Sequence, residues 1–223
     1  MDGLLLIDKP SGLTSHQVVA IVRRQLGIKK VGHAGTLDPL ATGLLVVMVG
    51  KATKLSNQLT TQFKVYEAEM QLFQQTASGD MAGKIIQEQK PQTFTLSQVQ
   101  TALNFFNQTT YWQTPPLYSA IKIKGKKLYE YARQGLKVEI PPRKVAINSI
   151  KLLEYNSDQG KIKLIVECSK GTYIRSLVLD IAQKLGTVAT LSQLRRLRSG
   201  PFRLDQAIKL DEVNPAKIIP FPF

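Results

Sequence analysis

Asp38 is a residue whose carboxylate could do acid, base or nucleophilic chemistry. It is a lone carboxylate in the loop Gly32-His33-Ala34-Gly35-Thr36-Leu37-Asp38-Pro39-Leu40-Ala41-Thr42-Gly43, where three glycines permit backbone conformations that other residues resist. Arg175 and other cations lie elsewhere in the chain and are available to orient it. Taken alone, an Asp-Pro pair is most often simply a turn, so the loop by itself leaves a structural and a catalytic role open.

Other chemistries lack their parts. Gly50-Lys51 has the look of a phosphate-loop ending, but Ala52 follows it in place of Ser or Thr, and no glycine stands five residues before Gly50. Neither G-x-G-x-x-G nor G-x-S-x-G occurs, which removes support for a dinucleotide site and for a hydrolase nucleophile elbow. One cysteine, Cys168, and two histidines, His16 and His33, cannot supply a zinc deaminase signature, a structural zinc cluster or a disulfide. No second carboxylate stands out near the loop to serve a glycoside hydrolase.

A second constellation is electrostatic. Between Pro115 and Lys144, eight cations (Lys122, Lys124, Lys126, Lys127, Arg133, Lys137, Arg143 and Lys144) face only Glu130 and Glu139, with Tyr118, Tyr129 and Tyr131 among them. Phosphate attraction beside surfaces on which bases can stack suits an RNA partner. A solvated basic surface is the alternative. The whole chain has 30 Lys plus Arg against 16 Asp plus Glu, a formal charge of +14, which is the footprint of a polyanion binder.

The elements that must position these residues are legible in outline. Gly3 to Asp8 predicts a short buried strand closed by the Lys9-Pro10-Ser11-Gly12 turn, and Thr14 with Gln17 forms a capping box before a helix ending at Gly27. Leu44 to Val49 predicts a buried strand. Val65 to Phe73 alternates with period two and places Tyr66, Ala68, Met70 and Leu72 on one face. Thr95 with Gln98 opens a second capped helix carrying Leu96, Val99, Ala102, Leu103 and Phe106, and Ile162 to Cys168 is a strand that turns into a helix over Ile174 to Leu185. The mixture without strict alternation predicts an α+β fold around a mixed, largely antiparallel sheet flanked by helices and loops. With 223 residues, 43% of them hydrophobic, the chain can bury a real core, and neither a signal peptide nor an apolar run long enough to span a membrane is visible.

The loop Gly32 to Gly43 resembles the catalytic signature of the TruB-type pseudouridine synthases, whose aspartate lies at the Leu-Asp-Pro position. Asp8-Lys9-Pro10-Ser11-Gly12, Gln113-Thr114-Pro115-Pro116-Leu117-Tyr118-Ser119-Ala120, Gly125-Lys126-Lys127-Leu128-Tyr129-Glu130-Tyr131-Ala132-Arg133 and Ser169-Lys170-Gly171-Thr172-Tyr173-Ile174-Arg175 resemble that family in the same order, so the likeness spans nearly all of residues 3–204. Along Leu72 to Gly83 the chain resembles the family's Leu-Gly-x-x-Thr-Asp-Thr-x-Asp-x-x-Gly stretch, with Phe73 and Ala77 in place of its Gly and Asp.

The resemblance implies a pseudouridine synthase fold and a cofactor-independent, metal-independent isomerase acting on uridine 55 in the T-loop of transfer RNA. It implies Asp38 as the catalytic carboxylate, Tyr66 stacked on the target base, and Tyr173 and Arg175 completing the pocket, with Arg175 pairing Asp38. Leu194 before Arg195 and Arg196 would pack against the base, His33 would lie beside the looped-out RNA, and Lys54 would contact phosphate. Lys9, Tyr118, Lys126, Lys127, Arg133, Arg195 and Arg196 complete the expected RNA contacts. The base must leave its stack at a cost of a few kcal/mol, which an aromatic pocket partly offsets. Whether the carboxylate attacks C1′ or deprotonates the sugar stays open. The implied organisation is a catalytic domain over 1–210 with a basic RNA-gripping insertion at 115–144, then a short tail, 211–223, and no PUA domain. The expected protein is a cytoplasmic monomer that needs neither guide RNA, nor membrane, nor an obligate protein partner. Its rival is a non-catalytic RNA-binding protein on the same scaffold.

Overall fold

Leu4, Leu5, Leu6 and Ile7 are apolar in unbroken succession, a pattern that demands cover on both faces of a strand. In the computed structural model, which describes residues 1–221, they lie in β1 (Gly3–Lys9), buried along nearly all its length. The chain continues through α1 (Ser15–Leu26), β2 (Val31–Ala34), β3 (Thr42–Val49), α2 (Ser56–Thr60), β4 (Lys64–Leu72), β5 (Gln74–Thr76), β6 (Ile85–Glu88) and α3 (Leu96–Asn104). Then come β7 (Thr109–Gln113), β8 (Lys122–Ile123), β9 (Lys126–Lys127), α4 (Leu128–Arg133), β10 (Arg143–Asn156), β11 (Lys161–Cys168), α5 (Ile174–Lys184), β12 (Ala189–Ser199) and β13 (Phe202–Arg203). The fold is α+β, with mixed and largely antiparallel strand pairing. The chain divides into two compact units, Met1–Glu67 with the residues from Gln193 onward, and Ala68–Ser192.

In the first unit β3 is the organising strand. β1 runs antiparallel along its full length from Gly3↔Val49 to Lys9↔Gly43. Two elements share its other edge: β2 pairs antiparallel with Val46 to Val49, and β12 pairs parallel at Thr42 and Gly43 through Arg195 and Arg196. The Gly-rich loop therefore leaves β2 and returns into β3, with both ends fixed to the same strand. Leu4, Leu6, Ala34, Leu44, Val46 and Met48 form one core with Ala52 and Leu59. Each leucine so buried contributes about 1.5–3 kcal/mol.

α1 starts where the sequence says it should. The Thr14 side chain accepts from Gln17 N–H at 3.1 Å while Gln17 Oε1 accepts from Thr14 N–H at 2.8 Å, and Gly27 ends the helix in the left-handed region at φ 67°. The segment expected as a tail is ordered against β1 as far as it is described. Leu4 and Ile219 exchange two main-chain hydrogen bonds of 2.9 and 2.8 Å, and Ile208 bonds to both Leu6 and Asp8. Residues 222–223 of that expected tail lie outside the described residues.

In the second unit β10 is central, with β11 antiparallel on one side and β7 antiparallel on the other. The second capping box, Thr95 with Gln98, is present, although Leu96 is 62% exposed. The basic segment folds as a hairpin, β8 to β9, whose two turn residues Lys124 and Gly125 both take positive φ (49° and 82°), and then as α4. Phe73, standing where the resembling family has glycine, has φ 72°. Its ring stacks on Phe94 at 6.2 Å and fills the space over Gly160, where a Cβ would come within 2.7 Å of it.

Candidate active site

Asp38 sits in a loop whose backbone is tied down on either side of it. The Ser15 hydroxyl donates to the Leu37 carbonyl at 3.1 Å and accepts from the Leu37 N–H at 2.9 Å, so one buried side chain satisfies both polar groups of the residue before Asp38. After Asp38, the Pro39 carbonyl accepts from Gly12 N–H at 2.9 Å and from the Lys9 ammonium at 3.1 Å. The Ser11 hydroxyl reaches the Leu40 carbonyl at 3.3 Å, and Ala41 N–H closes a turn onto the Asp38 carbonyl at 3.1 Å.

Arg196 holds the ends of the same loop. Its Nε donates to the Leu44 carbonyl at 2.7 Å and its Nη2 to the Gly35 carbonyl at 3.1 Å. Gly43 adopts φ 94° where β12 passes, and a Cβ there would stand 2.4 Å from the Arg196 carbonyl oxygen, so only glycine fits.

Lys9 and Arg196 were expected to meet substrate, and the structure places both elsewhere. They are 0% and 1% exposed. The Lys9 ammonium uses its three donors on the carbonyls of Pro10, Leu13 and Pro39, so these cations have no surface to offer a phosphate and instead shape the loop. Burial lowers the Lys9 pKa to about 8; the nearby Asp38 charge opposes that shift and Arg196 adds to it.

The remaining expected residues of this unit are distributed as follows. Tyr66 is 9% exposed on the inward face of β4, as the alternation predicted. Lys54 is exposed and Leu194 is half-buried, its carbonyl accepting from Thr42 Oγ1 at 3.4 Å. Arg195 pairs with Asp8 at 2.7 Å on the wall of a cleft of about 560 Å³ that Pro10, Ile21 and Thr42 also line. His33 lies on β2 with the His16 ring edge-on at 5.2 Å. Burial, then the charges of His16 and Arg196, lower its pKa to about 4, so it is neutral at pH 7, and its Nδ1 is buried without a hydrogen-bond partner.

In the second unit, Tyr173 and Arg175 stand at the start of α5. Arg175 is 5% exposed, donating from Nη1 to the Ser78 carbonyl at 2.7 Å and from Nη2 to the Tyr118 carbonyl at 3.0 Å, with Asp80 Oδ2 3.8 Å from its Nε. One guanidinium thus ties two loops to α5. Gln113 receives the Tyr173 N–H on Oε1 at 2.8 Å and donates from Nε2 to the Tyr173 carbonyl at 3.1 Å.

The cations of the basic segment lie against its tyrosines: Lys126 is 5.0 Å from the Tyr131 ring centre, while Lys127 and Arg133 are each 5.4 Å from that of Tyr129. Lys126 also donates to Gln134, and Tyr118 is 37% exposed. These contacts brace the segment while leaving several cations at its surface.

Sequence reasoning missed Ser15, Ser11 and Gln113. The available signal was a serine in the first turn of α1 on the face carrying Val18, Val19 and Val22, where a buried hydroxyl requires a partner. No helix among the described residues is long and apolar enough to cross a membrane.

A family model for the TruB family pseudouridylate synthase N-terminal domain matches residues 23–174, and one for the tRNA pseudouridylate synthase B C-terminal domain matches 175–219. The chain is 44% identical to a tRNA pseudouridine synthase B of Mesoplasma florum over 97% of its own length and 75% of that protein's. It is 48% identical to that of Carboxydothermus hydrogenoformans, over 95% and 74%. Among solved structures, it resembles a chain in a Cbf5-Nop10-Gar1 complex with a TM-score of 0.74 at 32% identity, covering 94% of this chain and 53% of that one. It thus spans about half the length of that structural relative. The order of these matches along the sequence, together with the fold and the aspartate loop, shows that the chain belongs to the TruB family of pseudouridylate synthases.

Proposed function

We propose that this enzyme converts uridine 55 in the T-loop of transfer RNA to pseudouridine, with Asp38 as its catalytic carboxylate. The observation that carries this reading is the bracing of Asp38, whose flanking residues Leu37 and Pro39 are held by Ser15, Gly12 and Lys9. A carboxylate fixed in this way meets a reacting atom without first ordering its loop, which is the entropic advantage of a preorganised group. The reaction breaks C1′–N1, turns the uracil, joins C5 to C1′ and releases the C5 proton, so it balances without an electron donor, phosphate or metal.

Tyr66 stacks on the flipped base, which contributes about 1–3 kcal/mol. Leu194 packs against the base, and Tyr173 and Arg175 contact the target nucleotide. Neutral His33 contacts the unstacked RNA, while Tyr118, Lys54 and the basic segment 115–144 grip the T-arm. Residues 1–210 act as the catalytic domain, working in the cytoplasm as a monomer.

Tritium release from unmodified transfer RNA carrying 5-tritiated uridine tests the reading, comparing wild type with Asp38→Ala at equal measured RNA binding. Release by wild type alone supports it; RNA binding without release by either protein sinks it in favour of a binding role. The likeness to a chain of the Cbf5-Nop10-Gar1 complex favours a second reading, a guide-dependent subunit. Turnover of a bare transcript by the purified protein alone would eliminate that alternative.

A further inference from the structure

Gln113 ends β7 and is 2% exposed. Its carboxamide makes three hydrogen bonds, and a fourth continues the network to Asp180. Oε1 accepts from Tyr173 N–H at 2.8 Å, and Nε2 donates to the Tyr173 carbonyl at 3.1 Å and to the Tyr111 phenol oxygen at 2.7 Å. The Tyr111 hydroxyl in turn donates to Asp180 Oδ2 at 2.9 Å. Because the phenol proton is committed to Asp180, the phenol oxygen can only accept, so Gln113 must offer it an N–H. Rotating the amide by half a turn would set donor against donor at the Tyr173 N–H and oxygen against oxygen twice. A single amide orientation survives.

Both ends of this chain of bonds belong to one helix. Tyr173 immediately precedes α5, and Asp180 lies within it about two turns on. A third link, from Ser176 Oγ to the Thr114 carbonyl at 2.8 Å, joins the same two segments. The end of β7 therefore fixes the peptide plane from which Tyr173 projects and the turn from which Arg175 projects. The Tyr173 carbonyl also accepts from the Leu177 N–H at 3.0 Å as α5 begins, so Gln113 and the first turn of the helix together hold this residue.

We propose that Gln113 is a positioning residue for the uridine isomerisation, holding the Tyr173 peptide so that Tyr173 and Arg175 meet the target nucleotide in one fixed orientation. The proposal rests on the reading that these two side chains form part of the uridine pocket. It makes the buried polar chain from Asp180 to Tyr173 part of the catalytic scaffold and not only of the core. Gln113→Glu keeps an acceptor for the Tyr173 N–H but loses both donated bonds, and Tyr111→Phe removes only the acceptor of one of them.

The test is single-turnover pseudouridine formation with enzyme in saturating excess over transfer RNA, with the dissociation constant for the RNA measured separately. The amplitude reads the fraction of RNA bound to folded enzyme, while the rate constant reads only that complex, so partial unfolding does not imitate the expected result. Gln113→Glu should slow the rate about 10- to 100-fold with the dissociation constant unchanged, because small misplacements of reacting groups carry losses of that size. Tyr111→Phe, which keeps both bonds to Tyr173, should show a smaller loss in the same direction and serves alone if Gln113→Glu does not fold. Wild-type rates in the folded variants, or a loss confined to RNA affinity, overturn the proposal. A wild type that forms no pseudouridine overturns the functional reading beneath it, an outcome distinct from active wild type with active variants.

Discussion

Replacing Ser15 with alanine removes one oxygen atom from the first turn of α1 and leaves two main-chain groups without partners. Leu37 is 3% exposed, so neither its N–H nor its carbonyl has water as a substitute. Each buried group left unsatisfied costs about 1–3 kcal/mol, which puts the loss at roughly 2–6 kcal/mol before relaxation. Alanine returns at most about 0.7 kcal/mol in helix propensity, and Thr14 retains the capping function. The loop can relax to recover part of the loss, so the expected destabilisation is about 2–4 kcal/mol, in the range of the larger single-residue effects.

The functional cost should exceed the thermodynamic one. Relaxation of Leu37 moves the adjacent Asp38, and the single-turnover rate should fall about 100-fold while RNA binding holds. Urea denaturation measures the first quantity and tritium release under single-turnover conditions the second. A Ser15→Ala protein with a midpoint and rate matching wild type would refute the argument that this hydroxyl braces the aspartate loop.

Three further outcomes follow from the geometry. Phe73→Ala should be less stable than Phe73→Gly by about 1 kcal/mol, since both lose the ring but only glycine accepts φ 72° without strain. Both should fall below wild type, because losing a buried phenylalanine ring costs about 3–5 kcal/mol and outweighs the strain released; the reverse order in urea unfolding would contradict this. His33 has a folded pKa of about 4 against 6.5 when unfolded, so its contribution is present above pH 6.5 and is lost as pH falls toward 4, by on the order of 3 kcal/mol. His33→Asn should flatten that part of the acid limb in urea midpoints taken across the window. Neutralising Lys122, Lys124 and Arg133 together should weaken transfer RNA binding and reduce the slope of log affinity against log salt by about 2–3, whereas an unchanged slope would remove the basic segment from the RNA contact.

The parts of this fold that were legible in sequence are those encoded locally. The two capping boxes, Gly27 after α1 and the alternation of β4 each depend on residues within one turn or one pleat of each other. Asp38 was different: an Asp-Pro in a Gly-rich loop carries no chemical label, and family resemblance alone singled it out. Ser15 and Gln113 escaped because their partners lie 22 and 60 residues away along the chain. The resemblance placed Lys9 and Arg196 among the RNA contacts, and cations are rarely fully buried, yet each finds enough main-chain carbonyls to be held inside. Leu96 errs in the opposite sense, apolar and on helical spacing but left exposed at the surface.

Arg196 also imposes an order on biosynthesis. Its partners Leu44 and Gly35 precede it by 152 and 161 residues, so a nascent chain carries the whole aspartate loop long before the arginine that locks it has been made. At about 5–20 residues per second the interval is roughly 8–30 s, far longer than local helices and hairpins take to form. Through that interval the loop has the braces from Ser15, Gly12 and Lys9, and the tie across its ends arrives with one of the last strands. A ribosome-bound fragment ending before β12 would carry Asp38 and its loop without the arginine that ties the two ends of that loop together.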